Sequence, residues 1–120
     1  MLIQAHPYRR KRNLLDVACL DGVEVNSHPL YRRSDFEEML AIAKENGLIL
    51  TCGGDYHADT YRPRCGTFLP DTLTDSTTLG TYLTAADAVM LRIHEPGKTE
   101  SCDYLYERAR KDTVNNTNAV

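Results

Sequence analysis

The stretch Leu50-Thr-Cys-Gly-Gly-Asp-Tyr-His57 decides the fold, because a short apolar run ends abruptly in residue types that bind metals. A strand places alternate side chains on one face, so Asp55 and His57 are expected to project to the same side. The segment Ile3-Gln-Ala-His6 has the same form, with a histidine after a short apolar strand. A carboxylate and two imidazoles at the ends of neighbouring strands suit a divalent metal with open positions for water and substrate.

Strands and helices alternate on both sides of this stretch. Residues 2–5 and 23–26 favour strands, and NLLDVACL (residues 13–20) favours a short helix. Ser34 and Glu37 have the spacing of a capping box, and they open a longer helix that Gly47 is placed to end. The apolar face of that helix consists of Phe36, Met39, Leu40 and Ala43.

The alternation predicts parallel strands joined by right-handed crossovers, with residues 48–51 as the next buried strand. Sites in such sheets lie at the carboxyl ends of the strands. The three candidate ligands His6, Asp55 and His57 all fall there, so the predicted topology and the chemistry agree.

The second half of the chain is expected to continue the same pattern. Residues 58–74 read as a long loop, 75–86 as a helix, 88–93 as a fourth parallel strand, and 99–111 as a third substantial helix with basic residues in its last turn. We expect one α/β domain over residues 1–112 and a frayed tail over 113–120.

Composition bounds the class of protein. The chain has 120 residues, of which 42% are hydrophobic and 26% charged, with a formal net charge of −3. These values are ordinary for a soluble globular domain and give no overall attraction to nucleic acid or to an anionic membrane. No long apolar run or signal peptide is visible, so we expect a cytoplasmic protein. Four dispersed cysteines without a C-x-x-C pair argue against a zinc ribbon and a disulfide framework.

The order of LIQAHPYR, LDGVEVNSH, a helix and GLILTCGGDYHADTYRPRCGT resembles the C-terminal half of the PHP (polymerase and histidinol phosphatase) family, over about residues 2–70. The resemblance implies a partial (β/α) barrel with a metal cluster at its strand ends, and a metal-dependent phosphoesterase activity in which metal-activated water attacks a phosphate ester. His6 matches the family's late His-Pro ligand, and Asp55 and His57 match its Asp-x-His ligand pair. Glu24 matches a recurring carboxylate and is a further candidate ligand.

The departure from the family is equally informative. The His-x-His motif and the other early ligands of the family are not found here, so the chain resembles the back half of a barrel. Three readings stay open: a phosphoesterase, a non-catalytic half-barrel that binds metal and self-associates, or a half completed by another polypeptide. The metal would be Zn, Mn, Fe or Mg, since His and Asp ligands accept all four. No side-chain nucleophile is assigned.

Basic and aromatic side chains flank the candidate ligands. Arg9 and Arg10 follow His6, while Arg62 and Arg64 follow the Asp-x-His pair, and guanidinium groups bind phosphate oxygens bidentately. These arginines are therefore candidate contacts to a small phosphorylated substrate, with a solvated basic loop as the alternative. Binding to duplex nucleic acid is disfavoured, because one basic run without a recognisable binding motif is weak evidence for a nucleic-acid-binding surface. Further candidate site residues are Asn26, His28, Tyr8 and Tyr56.

Four parallel strands are too few to close a barrel, which leaves the first strand with an open apolar edge. Such an edge must be covered or paired. We therefore expect a homo-oligomer, or pairing with the missing N-terminal half.

Overall fold

The structure is a computed structural model that describes residues 1–8, 11–26, 32–54, 65–94 and 100–109. Two three-stranded sheets and two α-helices organise these residues. In chain order the elements are β1 (Ile3–Gln4), a 3-10 turn (Val17–Cys19), β2 (Gly22–Asn26), α1 (Arg33–Asn46), β3 (Ile49–Gly53), β4 (Gly66–Thr67), α2 (Ser76–Ala85), β5 (Ala88–His94) and β6 (Ser101–Glu107).

The first sheet is parallel, in the order β1-β2-β3, which confirms the predicted strand–helix–strand pairing. Period-2 alternation sorts its side chains: Val23 and Val25 are buried, whereas Glu24 between them is half-buried on the other face. The buried face belongs to the same hydrophobic cluster as Met39 and Ala43 of α1. This burial of a continuous apolar face is the main source of stability for the unit.

The C-terminal end of α1 agrees with the prediction, whereas its N-terminal end differs. The helix ends at Gly47, as predicted, in the left-handed region at φ +61°. The predicted capping box is wrong by two residues, because the N-cap is Arg32, whose N–H donates to the Asp35 carboxylate at 3.0 Å. Glu37 instead accepts from the Arg33 guanidinium at 3.1 Å along the helix.

The second sheet is antiparallel, in the order β4-β5-β6, and it corrects two predictions. The strand expected over 88–93 forms as β5, but it is not a fourth parallel strand. The helix expected over 99–111 is wrong, because residues 101–107 form β6 and pair with β5 along its whole length. The side chains of this segment alternate as in a strand: Tyr104 and Tyr106 face the core, whereas Asp103, Leu105 and Glu107 face outward. The helix prediction overlooked this two-residue period.

Two smaller predictions are also revised. The short helix expected over residues 13–20 is a single 3-10 turn, Val17–Cys19, with Asp16 accepting from the Ala18 N–H at 3.0 Å. The loop expected over 58–74 contains β4, and its residues 58–64 lie outside the described residues, as does the tail 113–120.

Side chains join the two sheets. The Thr67 hydroxyl of β4 accepts from the Cys52 N–H of β3 at 2.8 Å and donates to the Cys52 carbonyl at 3.2 Å. The buried Tyr106 hydroxyl donates to the Leu48 carbonyl at 2.7 Å. The described strands therefore make one α/β core with a three-stranded parallel sheet, and they do not close a barrel. Within the described ranges, no helix has both the length and the apolar character needed to span a bilayer.

Candidate functional site

The candidate site lies at the carboxyl ends of β1, β2 and β3, where parallel strands direct their following residues to one edge of the sheet. Of the predicted site residues, the structure describes His6, Tyr8 and Glu24 in full and Asn26 by its backbone as the last residue of β2. The others lie outside the described residues: Arg9, Arg10, His28, Asp55, Tyr56, His57, Arg62 and Arg64.

Glu24 joins the three strand ends. It lies in the middle of the central strand, opposite Thr51 of β3, and its side chain leaves the sheet on the face away from α1. Its Oε2 accepts from the backbone N–H of His6 at 3.0 Å. Its other oxygen lies against Gly53, so closely that a Cβ at that position would clash with it. One carboxylate thus bonds the segment that carries His6 and lies against the strand that leads to Asp55.

His6 has a strained backbone. Its φ is +31°, and among the described non-glycine residues it alone has a positive φ. An L-residue in this region is uncommon and persists only where surrounding contacts enforce it, a situation found most often at functional sites. Here the contact is the bond from its N–H to Glu24. The histidine thus combines an unusual backbone conformation with a hydrogen bond to a carboxylate of the central strand.

Tyr8 anchors the segment after His6 to α1. It is 7% exposed, and its hydroxyl donates to Glu38 at 3.4 Å. Arg12 forms an ion pair with the same Glu38 carboxylate and lies over the Tyr8 ring, 5.3 Å from its centroid. Burial, reinforced by the neighbouring Glu38 charge, raises the pKa of Tyr8. The phenol thus stays protonated and fixes the segment's path.

Glu38 was not predicted as part of this region, whereas Arg12 belongs to the basic run Arg9-Arg10-Lys11-Arg12, which is expected at the rim of the site. Arg12 and Glu38 are 26 residues apart, so only the packing of the segment after His6 on α1 brings them together. Cys65 follows the Asp-x-His pair in the sequence. Its thiol lies at the end of β3, where it donates to the Gly53 carbonyl at 3.5 Å.

A small cavity of about 170 Å³ lies beside the end of β3. Its walls are formed by Cys65, Gly66, Thr67, Phe68 and Arg92. The Arg92 guanidinium already has two partners: it lies 4.8 Å from the Phe68 ring centroid and pairs with Asp103 at 3.0 Å. All five lining residues belong to β4, its neighbours or β5, so the cavity lies on the second sheet and is lined by none of the predicted site residues.

The described residues supply only part of a metal-binding donor set. No group of three or more His, Cys, Asp or Glu side chains within the described ranges is arranged to hold an ion. An imidazole and a carboxylate from His6 and Glu24 fit a borderline or hard divalent cation, and Asp55 and His57 would add donors of the same types. No protein-family model, curated protein or solved structure matches this chain.

Proposed function

We propose that the chain forms the C-terminal part of a PHP-type metal-dependent phosphoesterase, built as a partial (β/α) barrel. The observation that supports this best is the bond from the His6 N–H to the Glu24 carboxylate, combined with the positive φ of His6. An acidic side chain half-buried on a central strand serves no apolar core. It is instead placed to orient polar groups at the sheet edge where parallel α/β folds bind their ligands.

In this proposal His6, Asp55 and His57 hold the divalent ion. Glu24 contributes in one of two ways, as a fourth ligand or as the acceptor that fixes His6. The bound ion would supply Lewis-acid polarisation of the phosphoryl group and a more acidic water. The chain itself supplies the imidazole and carboxylate donors and the fixed backbone that presents them.

The substrate in this proposal is a small phosphate ester. Arg9 and Arg10 follow His6 within four residues, and Arg62 and Arg64 follow His57 within seven, so each pair belongs to the segment after a candidate ligand. Guanidinium groups there would neutralise phosphate oxygens and orient the ester.

A second candidate function is a metal-binding half that needs another polypeptide for catalysis. The described parallel sheet has three strands, fewer than a closed barrel requires. Three assigned ligands also suffice for one ion but not for a multi-metal cluster. Activity appearing only after a second polypeptide is added would favour this reading.

Metal content tests the proposal directly. We expect about one divalent ion per chain by elemental analysis of untagged protein purified without chelator, and its loss in Asp55→Ala. Glu24→Gln keeps an oxygen acceptor for the His6 N–H but removes the charge, so we expect roughly 10–100-fold weaker Zn or Mn binding by calorimetry.

Glu37→Gln is the matched control, since Glu37 is exposed and pairs only locally with Arg33 among the contacts described for it. It should bind metal as the unmodified chain does. Unmodified protein that binds neither Zn nor Mn would contradict the proposal. If metal binds but an aryl phosphate releases no nitrophenol at any metal concentration, the incomplete half is favoured over the complete enzyme.

A further inference from the structure

In the part of the chain that the structure describes, the outer strand β6 of the second sheet has one backbone edge without a partner strand. All seven of its residues pair with β5 in one continuous register, from Ser101 opposite His94 to Glu107 opposite Ala88. In the order β4-β5-β6 it has a strand on one side only, and no described residue pairs with its other side. Cys102, Asp103, Leu105 and Glu107 are all exposed.

The ladder shows which backbone groups face outward. The Arg108 N–H donates to the Asp87 carbonyl at 2.7 Å, which continues the same register beyond the strand. Since inward- and outward-facing groups alternate along an antiparallel strand, Tyr106 and Tyr104 direct their N–H and C=O groups to β5. Asp103 and Leu105 therefore direct theirs away from the molecule.

Among the described residues, β6 lacks most of the features that protect an exposed strand edge. Natural edges are commonly blocked by short length, charged side chains, proline, a bulge or a covering segment. β6 is seven residues long, contains neither lysine nor proline, and has no break in its register. Its two charged residues are Asp103, which already pairs with Arg92, and Glu107. The first sheet differs at both of its edges: β1 has only two residues, Ile3–Gln4, and β3 is joined to Thr67 of β4 through the N–H and carbonyl of Cys52. The open edge expected from sequence on the first strand is thus blunted, and the long edge belongs to β6.

Self-pairing of β6 has one register that suits its charges. A two-fold axis at Tyr104 keeps all seven residues paired and places Asp103 opposite Leu105 of the second copy. An axis at Asp103 would put two aspartates face to face, and one at Leu105 would put Asp103 against Glu107. Directly opposed like charges destabilise a strand pair. In the favoured register Asp103 also keeps its own partner, the Arg92 guanidinium at 3.0 Å.

Apolar side chains on the outer face add to the same interface. Leu105 is 50% exposed and lies opposite Met90, which is 37% exposed, while Phe68 at 42% follows β4. A second copy added at the edge would extend this row across a six-stranded sheet and cover part of Leu105. Apolar burial and the new backbone hydrogen bonds would then act together.

We propose that the chain forms a two-fold symmetric homodimer by antiparallel pairing of β6 with β6 of a second copy, centred on Tyr104. The pairing is independent of the metal site, and it uses only the outward groups of Asp103, Leu105 and their neighbours. Because the axis is two-fold, the assembly closes at two chains.

Sedimentation velocity on the full chain at tens of micromolar tests the proposal. We expect the unmodified protein to sediment as a dimer and Leu105→Glu to sediment as a monomer at the same concentration, because the new carboxylate would lie opposite Asp103 of the second copy. Leu15→Glu is the matched control, because Leu15 is also 50% exposed but lies far from β6 in sequence and outside both sheets. It should stay dimeric.

Leu105→Pro provides a second variant, because it removes one outward N–H and leaves the ladder to β5 intact. It should also be monomeric, with an unchanged far-ultraviolet circular dichroism spectrum. Unmodified protein that is monomeric, or dimers that persist in both folded Leu105 variants, would overturn the proposal.

Discussion

At the scale of single residues, Gly53 is a position of the candidate site that has no room for a side chain. A Cβ there would clash with Glu24 Oε1 and lie 3.1 Å from its Cδ. We therefore expect Gly53→Ala to push the carboxylate away from the His6 N–H. Because the clashing atoms end a flexible side chain, the free energy of unfolding should fall by only about 1 kcal/mol. Urea unfolding and the His6 amide resonance in a ¹⁵N spectrum would measure the two effects.

Gly66→Ala is the control for this substitution, because no heavy atom lies within 4 Å of a Cβ built there. It should leave both the His6 resonance and the unfolding free energy essentially unchanged. An unmoved His6 resonance in Gly53→Ala would show that Glu24 does not depend on the space beside Gly53.

At the scale of one element, α2 begins with a reciprocal cap that is sensitive to acid. The Asp75 carboxylate accepts from the Thr78 N–H at 2.8 Å, and the Asp75 N–H donates to the Thr78 hydroxyl oxygen at 3.2 Å. The Thr78 N–H bond lowers the pKa of Asp75 below its usual 3.8. The stabilisation is therefore complete above that value and is lost as pH falls through the lower pKa of the folded state.

Asp75→Asn isolates this effect, because asparagine caps a helix comparably but does not titrate. We expect the thermal midpoint of the unmodified chain to fall relative to that of Asp75→Asn between about pH 7 and about pH 2. Circular dichroism melts across this range measure the difference. A difference that stays constant with pH would show that the carboxylate charge contributes nothing to the cap.

At the scale of the whole molecule, a threonine hydroxyl of the second sheet forms hydrogen bonds with the backbone of the first sheet. Thr67 bonds both the N–H and the carbonyl of Cys52, a residue that is 5% exposed. Thr67→Val keeps the side-chain shape but removes the acceptor of a buried N–H. We expect the free energy of unfolding to fall by about 1–3 kcal/mol, measured by urea denaturation.

Thr81→Val is the matched control, since the Thr81 hydroxyl bonds the Thr77 carbonyl on the exposed side of α2. Its effect should stay within about 0.5 kcal/mol, as for most surface substitutions. Equal losses in the two variants would mean that Thr67 makes no measurable contribution to holding the sheets together.

Local patterns determined the β2–α1–β3 unit. The apolar periodicity of α1, the glycine at its end and the buried run of β3 are properties of neighbouring residues, so the sequence alone predicted them correctly. The same holds for α2 and for the existence of β5. His6 was selected because it follows an apolar strand, and Glu24 was selected through the resemblance to the PHP family; their role as metal ligands stays a prediction. Asp55 and His57 stay predictions, since they lie outside the described residues.

Only the tertiary structure decided features that depend on residues distant in sequence. Residues 101–107 are a strand because β5 supplies a partner for every one of them, which outweighs a helix-compatible local composition. The Glu24 bond to His6 joins residues 18 apart, and the Tyr8 bond to Glu38 joins residues 30 apart. Short-range propensity fixes which elements can form, whereas pairing partners, sheet order and the contacts of a site arise from packing, which no local pattern encodes.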